Sequence, residues 1–286
     1  MSAVELVSQE IGSSNRRFGA RLADGSLVEA VHYRGDTLCI SSQVGCAVRC
    51  PFCASGANGL GRSLSREELV GQLEAVRARG LAVIRSTVSG VGEPLHNAEN
   101  VFAYLDDARR LGAPASVTTT GGPLPRLREL LHAPHNGVTV SVHAGTEETR
   151  ARAVPKGPAL APLFDVLRDE IPRLGRNRRK KVALAYLMIP GINESAAELD
   201  AFAALSRPLG VAVHLYAYNP VPNGDFDRAP RERYESAYER LRGAGLVVRM
   251  SSQARIEANG GCGTLVAART PSAGGDRGPL ASRTST

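Results

Sequence analysis

The chain has 286 residues, a formal net charge of +7, 43% hydrophobic residues and 22% charged residues. That composition suits a globular enzyme with a substantial core. No apolar run approaches the ~18 residues of a membrane span, and no basic region followed by an apolar stretch marks a signal peptide, so a cytoplasmic protein is expected, with no membrane partner. Aromatic residues make up only 5% and Trp is absent, which argues against a platform of exposed stacking rings. The basic balance suits a polyanionic partner such as RNA, or it reflects the Arg-rich usage of a GC-rich genome.

Taken in chain order, residues 1–16 are polar, with a short amphipathic patch from Val4 to Ile11 that reads as a short helix or a loose arm. Phe18 to Leu22 and Leu27 to Tyr33 form a hairpin around Asp24-Gly25. Leu38 to Ser42 is a strand feeding a cysteine-rich loop. Ser65 and Glu68 have the spacing of a capping box and open a helix. Strands at Val83–Ser89, Ser116–Thr120, Gly137–Val142, Val182–Ile189, Val211–Ala217 and Leu246–Met250 then alternate with helices at Asn97–Leu111, Leu124–Leu131, Leu160–Leu174, Glu194–Leu205 and Arg231–Arg242. Short apolar strands alternating with amphipathic helices argue for an α/β protein with a parallel sheet. About six β/α units give either a partial barrel or an open doubly wound sheet. The tail from 269 to 286 has the composition of a disordered segment.

The stretch from Leu38 to Cys53 carries the chemistry. Cys46, Cys50 and Cys53 spell C-x-x-x-C-x-x-C as the chain enters a Gly-rich loop. Three thiolates this close can hold three irons of a [4Fe–4S] cluster, leaving the fourth iron open to a small molecule. Structural zinc wants four closed ligands, and no further Cys or His follows nearby. Three cysteines cannot all pair among themselves. Polar groups also sit at the carboxyl ends of the strands, where parallel α/β folds keep their sites: Gly90 to Pro94, Thr118 to Gly122, Ser141 to Ala144 and Tyr218 to Pro220.

These motifs, with Thr37 to Cys46, Gly90 to Asn97, Asn219 to Pro222 and Gly261-Cys262-Gly263, resemble the RlmN/Cfr family of adenine-methylating radical S-adenosylmethionine (SAM) enzymes. The resemblance runs from about Arg17 to Leu265. It implies a partial (β/α)6 barrel of the radical SAM type with an N-terminal β-hairpin extension: an arm at 1–16, a catalytic domain at 17–268 and a tail at 269–286. The family's separate N-terminal accessory domain is not expected in this sequence. The resemblance further implies that Cys46, Cys50 and Cys53 bind the cluster, whose open iron chelates SAM. Gly92 and Glu93 would hold the methionine amino group, and Thr118, Ser141, Val142, His143 and Asn219 would line the rest of the SAM pocket. Position 118 is usually Ser in that family, and Thr keeps the hydroxyl. Cys262 would carry the methyl group, Cys39 would be its partner thiol and Glu29 the acid/base. Two SAM molecules would be used per turnover. S-methyl-Cys262 would be the intermediate, and a Cys39–Cys262 disulfide would form on product release.

Plainer readings stand beside these. Cys39 and Cys262 could be small buried hydrophobes, Glu29 a solvent-facing strand residue and His143 a strand-end hydrogen bonder. The run Arg173, Arg176, Arg178, Arg179, Lys180 and Lys181 is either a phosphate-contacting patch or a solvated loop. The substrate is expected to be an adenine carbon in RNA or, alternatively, a small nucleotide-like or heteroaromatic molecule. A flavodoxin or ferredoxin would donate electrons, and a monomer is expected.

Overall fold

The architecture follows from strands that are apolar on one face only. The computed structural model describes residues 3–33, 35–221, 226–257, 261 and 263–267; Cys262 and the tail at 269–286 lie outside them. The first strands are β1 (Val4–Ile11), β2 (Asn15–Leu22), β3 (Leu27–Tyr33) and β4 (Thr37–Ile40), each antiparallel to the next. A two-stranded ribbon, β5 (Gln43–Gly45) with β6 (Leu60–Ser63), brackets the cysteine loop. There follow α1 (Arg66–Arg77), β7 (Arg85–Val88), α2 (Ala98–Arg110), β8 (Ala115–Thr119), α3 (Leu124–His132), β9 (Gly137–Ser141), α4 (Glu147–Ala153), α5 (Leu160–Arg173), α6 (Arg176–Arg179), β10 (Val182–Met188), α7 (Ala196–Ser206), β11 (Ala212–Ala217), α8 (Arg231–Gly243) and β12 (Val248–Met250).

One ten-stranded sheet runs in the order β1-β2-β3-β4-β7-β8-β9-β10-β11-β12. From β4 onward every pairing is parallel. Leu38, Ile40, Val88, Val117, Val138, Val140, Leu184, Val213 and Leu215 are buried on the helix-covered face. Alternate residues face the other way, as the two-residue strand period requires. Thr37, Thr87, Ser116, Thr118, Thr139, His214 and Tyr216 line a polar cavity of about 310 Å³. The sheet is thus a partial barrel with an apolar outside and a polar lumen. Among the described residues no helix is long and apolar enough to cross a membrane.

The expected capping box is present. Ser65 Oγ accepts from the Glu68 backbone N–H, and the Glu68 carboxylate accepts from Ser65 N at 2.8 Å. The Asp24-Gly25 turn also forms, with Ser26 N donating to Asp24 Oδ1 at 2.9 Å. Residues 4–11 require a correction: they are neither helix nor loose arm but edge strand β1, paired with β2 from Val4–Leu22 to Ile11–Arg16. Val4 and Leu6 are buried two residues apart, and Val4 packs where Gly71 of α1 leaves no side chain. A partner strand and a helix surface together outweigh the weak helical periodicity of so short a segment. Helix α4 and the β5–β6 ribbon were not anticipated either.

Gln72 on α1 ties the helix to the end of β4. Its Oε1 accepts from Ser41 N at 2.9 Å, and its Nε2 donates to Ser41 O at 3.0 Å, all buried. Gln72→Leu strands both backbone groups, so it is expected to cost about 2 kcal/mol, read as a lower midpoint in thermal or denaturant unfolding. An unchanged midpoint would mean that water reaches Ser41.

Candidate active site

Two motifs are laced together backbone to backbone. After β4, Ser42 N and Gln43 N both donate to Val91 O, at 2.8 and 3.1 Å, and Gly90 N donates to Ile40 O at 2.9 Å. Glu93 N donates to Gln43 Oε1 at 2.9 Å. Gly92 has φ +110°, and a Cβ there would stand 2.7 Å from Gln43 Cβ. The Gly-Val-Gly-Glu-Pro loop is therefore fixed against the segment that leads into the cysteines.

The cysteine loop closes on itself in the same way. Cys46 N donates to Gly59 O at 3.1 Å. Gly45 has φ +82°, and a Cβ there would sit 1.8 Å from Gly59 O, so no side chain is tolerated. Cys46 is buried, while Cys50 and Cys53 are partly buried. Burial pushes the Cys46 thiol up to about 11, with the neighbouring Cys53 adding to the rise. Burial also raises Cys50, and then both other sulfurs raise it further. The desolvated Cys46 and Cys50 sulfurs resist ionisation on their own, and a cationic metal core is the partner that removes such protons. Among the described residues no three His, Cys, Asp or Glu groups converge as ligands of a single ion do. In a cubane each thiolate takes a different iron, so the loop fits a [4Fe–4S] cluster held through Cys46, Cys50 and Cys53.

Glu93 is 2% exposed. Its carboxylate accepts from Leu95 N at 3.1 Å, Thr120 N at 2.8 Å, Thr120 Oγ1 at 2.8 Å and the Thr119 hydroxyl. Thr119 and Thr120 thus carry a role beside Glu93, whereas Thr118 faces the lumen cavity. Ser141 ends β9 and Val142 follows it, and their carbonyls accept from Arg150 Nη1 at 2.7 and 2.8 Å. His143, at φ +57°, accepts from Leu187 N through Nδ1 at 3.0 Å. Its ring stands edge-on to Phe52 of the cysteine loop, with centroids 5.5 Å apart. Asn219 donates to Arg255 O at 2.7 Å and accepts from Arg228 at 2.8 Å. Nothing local in the sequence gives Arg150 or Gln43 these roles, and Thr119 and Thr120 belong to the strand-end stretch Thr118 to Gly122, of which the resemblance assigns only Thr118.

A second cluster lies beside the first. Cys39 Sγ is 3.2 Å from Ser89 Oγ, which is 3.1 Å from Thr87 Oγ1. Cys39, Ser89, Cys53, Gly261 and Gly263 line one small cavity of about 70 Å³, together with Tyr33 and Arg255. Glu29, two residues before Val31, which pairs with Cys39, accepts from Val266 N at 2.8 Å, and Arg17 Nε lies 3.9 Å away. Burial raises its pKa. The segment at 263–267 is further pinned to the cysteine loop, by Ala54 N to Gly263 O at 2.9 Å and Ser55 Oγ to Leu265 O at 2.8 Å. Of the basic run, Arg176, Arg179 and Lys180, together with Arg249, line a cavity at the amino ends of the strands, the end away from the cysteines. Arg173 pairs with Glu170 at 3.3 Å, and Arg178 donates to Ala133 O.

The model of the Radical SAM superfamily matches residues 40–203, more than half of the chain. The chain belongs to that superfamily, whose members imply a [4Fe–4S] cluster and SAM as cofactors. Among curated relatives, a "Probable RNA methyltransferase" of Bordetella avium is 32% identical over 278 residues, covering 92% of this chain and 75% of the relative. A "Probable dual-specificity RNA methyltransferase RlmN" of Desulforamulus reducens is 32% identical and covers 85% and 72%. A radical SAM methyltransferase from Sphaerobacter thermophilus superposes with a TM-score of 0.80 at 30% identity, covering 93% and 82%. Within the superfamily, this protein belongs to the RlmN/Cfr-like methyltransferases.

Burial drives the His143 pKa down to about 3, so the imidazole is neutral in the fold. Its contribution to stability is complete above pH 6.5 and is lost as pH falls toward 3. His143→Asn keeps an acceptor near the Nδ1 position and tolerates positive φ. It is expected to flatten the pH dependence of unfolding between pH 6.5 and 4, at a cost of about 1 kcal/mol at pH 7.5. A wild-type slope retained in the variant would show that His143 ionises in the folded state.

Proposed function

We propose that this protein methylates an electron-poor adenine carbon in RNA through a methyl group carried on Cys262. The observation that supports this reading best is the small cavity shared by Cys39, the cluster-binding Cys53 and the two glycines that flank Cys262. Two thiols far apart in sequence would then work next to the metal centre. When bound, the cluster and SAM supply an electrophilic methyl group and a one-electron cleavage that yields a hydrogen-abstracting radical. Everything else falls to the chain. Gly92 and Glu93 would present polar groups to the methionine part of SAM, with Ser141, Val142, His143, Asn219 and Thr118 around the remainder. Cys262, deprotonated, would take the SAM methyl group by ordinary nucleophilic attack, forming its S–C bond as the sulfonium S–C bond breaks and S-adenosylhomocysteine leaves. After the carbon has joined the ring, Cys39 Sγ would attack Cys262 Sγ. An S–S bond forms as the C–S bond breaks; the electron pair of that bond stays with the product carbon, which takes up a proton to become the methyl group, and the single electron spent on SAM cleavage is released again from the ring adduct.

The ring proton needs an acceptor. Glu29 suits the task because burial raises its pKa, which moves a carboxylate toward the working range of a general base. Its hydrogen bond to Val266 N also holds the segment that follows Cys262. RNA is favoured over a free nucleotide by the names of the relatives and by the net charge of +7.

Anaerobically reconstituted protein carrying iron should show one added methyl group on Cys262 by peptide mass spectrometry. Cys262→Ala should remove that mark and all methyl transfer, whereas Cys39→Ala should accumulate a covalent protein–RNA adduct. Glu29→Gln should slow turnover by roughly 10²- to 10⁴-fold with the methyl mark intact. Methyl transfer that persists in Cys262→Ala would sink the carrier role. Equal efficiency on a free nucleotide, with RNA binding indifferent to salt, would move the substrate to a small molecule.

A further inference from the structure

The largest fully buried side chain is charged. Arg150 on α4 is 1% exposed. Its Nη1 donates to Ser141 O at 2.7 Å and Val142 O at 2.8 Å, its Nη2 to Thr120 O at 2.8 Å and its Nε to Pro158 O at 3.0 Å. Every one of these acceptors is a neutral carbonyl. Among the described residues no carboxylate stands within ion-pair distance of Arg150. Carbonyl dipoles orient a guanidinium but leave its charge uncancelled, and an uncompensated buried charge is strongly destabilising. The guanidinium is thus served by dipoles and by carboxylates beyond ion-pair distance, and a closer anion would stabilise it further.

Helix α4 shows where that charge belongs. Ala153 and Val154, three and four residues on from Arg150 and so on the same helix face, pack in the buried cluster formed by Cys46, Val48 and Phe52, with Cys50 and Cys53 at its margin. Glu93 and Glu147 lie near enough to favour the charged guanidinium but form no ion pair with it: Glu93 accepts from its two threonines and Leu95 N, and Glu147 from Leu160 N and Ala161 N, each at 2.8 Å. Desolvation lowers the Arg150 pKa to about 10. The guanidinium thus keeps its proton at neutral pH.

We propose that Arg150 is the fixed counter-charge of the iron–sulfur cluster held by Cys46, Cys50 and Cys53, and that it sets the cluster's reduction potential. With its thiolates the cluster is anionic, and it gains one more negative charge when a one-electron donor of the flavodoxin or ferredoxin class reduces it. A buried cation at fixed distance favours the reduced form, because net charge and surroundings tune such potentials. The carbonyl clamp, which spans the ends of β8 and β9, keeps that distance fixed.

This inference rests on the cluster reading, so iron and sulfide content of the reconstituted full chain is measured first. Wild-type protein without iron would defeat that reading and leave Arg150 with no group to compensate. With iron present, an EPR-monitored redox titration compares wild type, Arg150→Gln and Arg150→Lys. Arg150→Gln should lower the ratio of reduced to oxidised cluster at a given potential at least tenfold, a shift of about 59 mV for a one-electron couple. Arg150→Lys, which keeps the charge and loses most of the clamp, should shift by less than a quarter of that. An iron-loaded Arg150→Gln variant at the wild-type potential overturns the proposal, as does an equal shift in both variants. Should Arg150→Gln not accumulate as folded protein, Arg150→Lys decides alone: a near-wild-type potential sustains the counter-charge, and a tenfold shift removes it.

Discussion

Every buried backbone group between β4 and the first cysteine has to find its partner inside the protein. Residues 41 to 43 are almost completely shielded from water, and buried N–H and C=O groups left unpaired are costly. Gln72 meets both groups of Ser41. Val91 O takes the N–H groups of Ser42 and Gln43. Asn97 Nδ2 reaches Ser42 O at 2.9 Å and Leu64 O at 2.8 Å. Pairing these groups fixes where the cysteine loop starts, where the Gly-Val-Gly-Glu-Pro loop lies and how α1 docks. The cysteine loop and the Gly-Val-Gly-Glu-Pro loop are built on one inextensible seam.

Charge is handled differently on the two sides of that seam. Glu93 is satisfied through hydrogen bonds alone, from hydroxyl and N–H donors. Arg150 is wrapped in acceptors that cannot neutralise it. The Cys46 and Cys50 thiols in turn resist ionisation without a metal. An anionic cluster set among them would relieve the strain on cation and sulfurs together, which links the loading of the metal to the stability of the strand ends.

The two ends of the partial barrel differ in kind. At the carboxyl ends of the strands lie the cysteines, the Cys39 cavity and the pinned segment at 263–267. At the amino ends Arg176, Arg179, Lys180 and Arg249 surround an open cleft, and the polar lumen runs between the two. Tyr33 and Arg255 line both the lumen and the Cys39 cavity. Arg255 stacks on Tyr33 and Tyr216, 5.5 and 5.6 Å from the ring centroids, and so bridges β3 to β11 across the open side of the barrel.

Much of this was legible in the sequence because it is local. The spacing of Cys46, Cys50 and Cys53, the capping box at Ser65 and Glu68, the Asp24-Gly25 turn and the alternation of strands with helices each depend on residues a few positions apart, where period and turn chemistry act directly. Other features arise only when distant segments meet. Val4 to Ile11 became a strand because β2 and Gly71 offered a partner and a surface. Thr119 and Thr120, rather than Thr118, face Glu93 because the strand period sends Thr118 into the lumen. Arg150 looks like one arginine among many until the ends of β8 and β9 close over it and remove its water. Residue types and short spacings therefore named the chemistry, while tertiary structure decided which groups are dry, because burial depends on chain segments that no local pattern brings together.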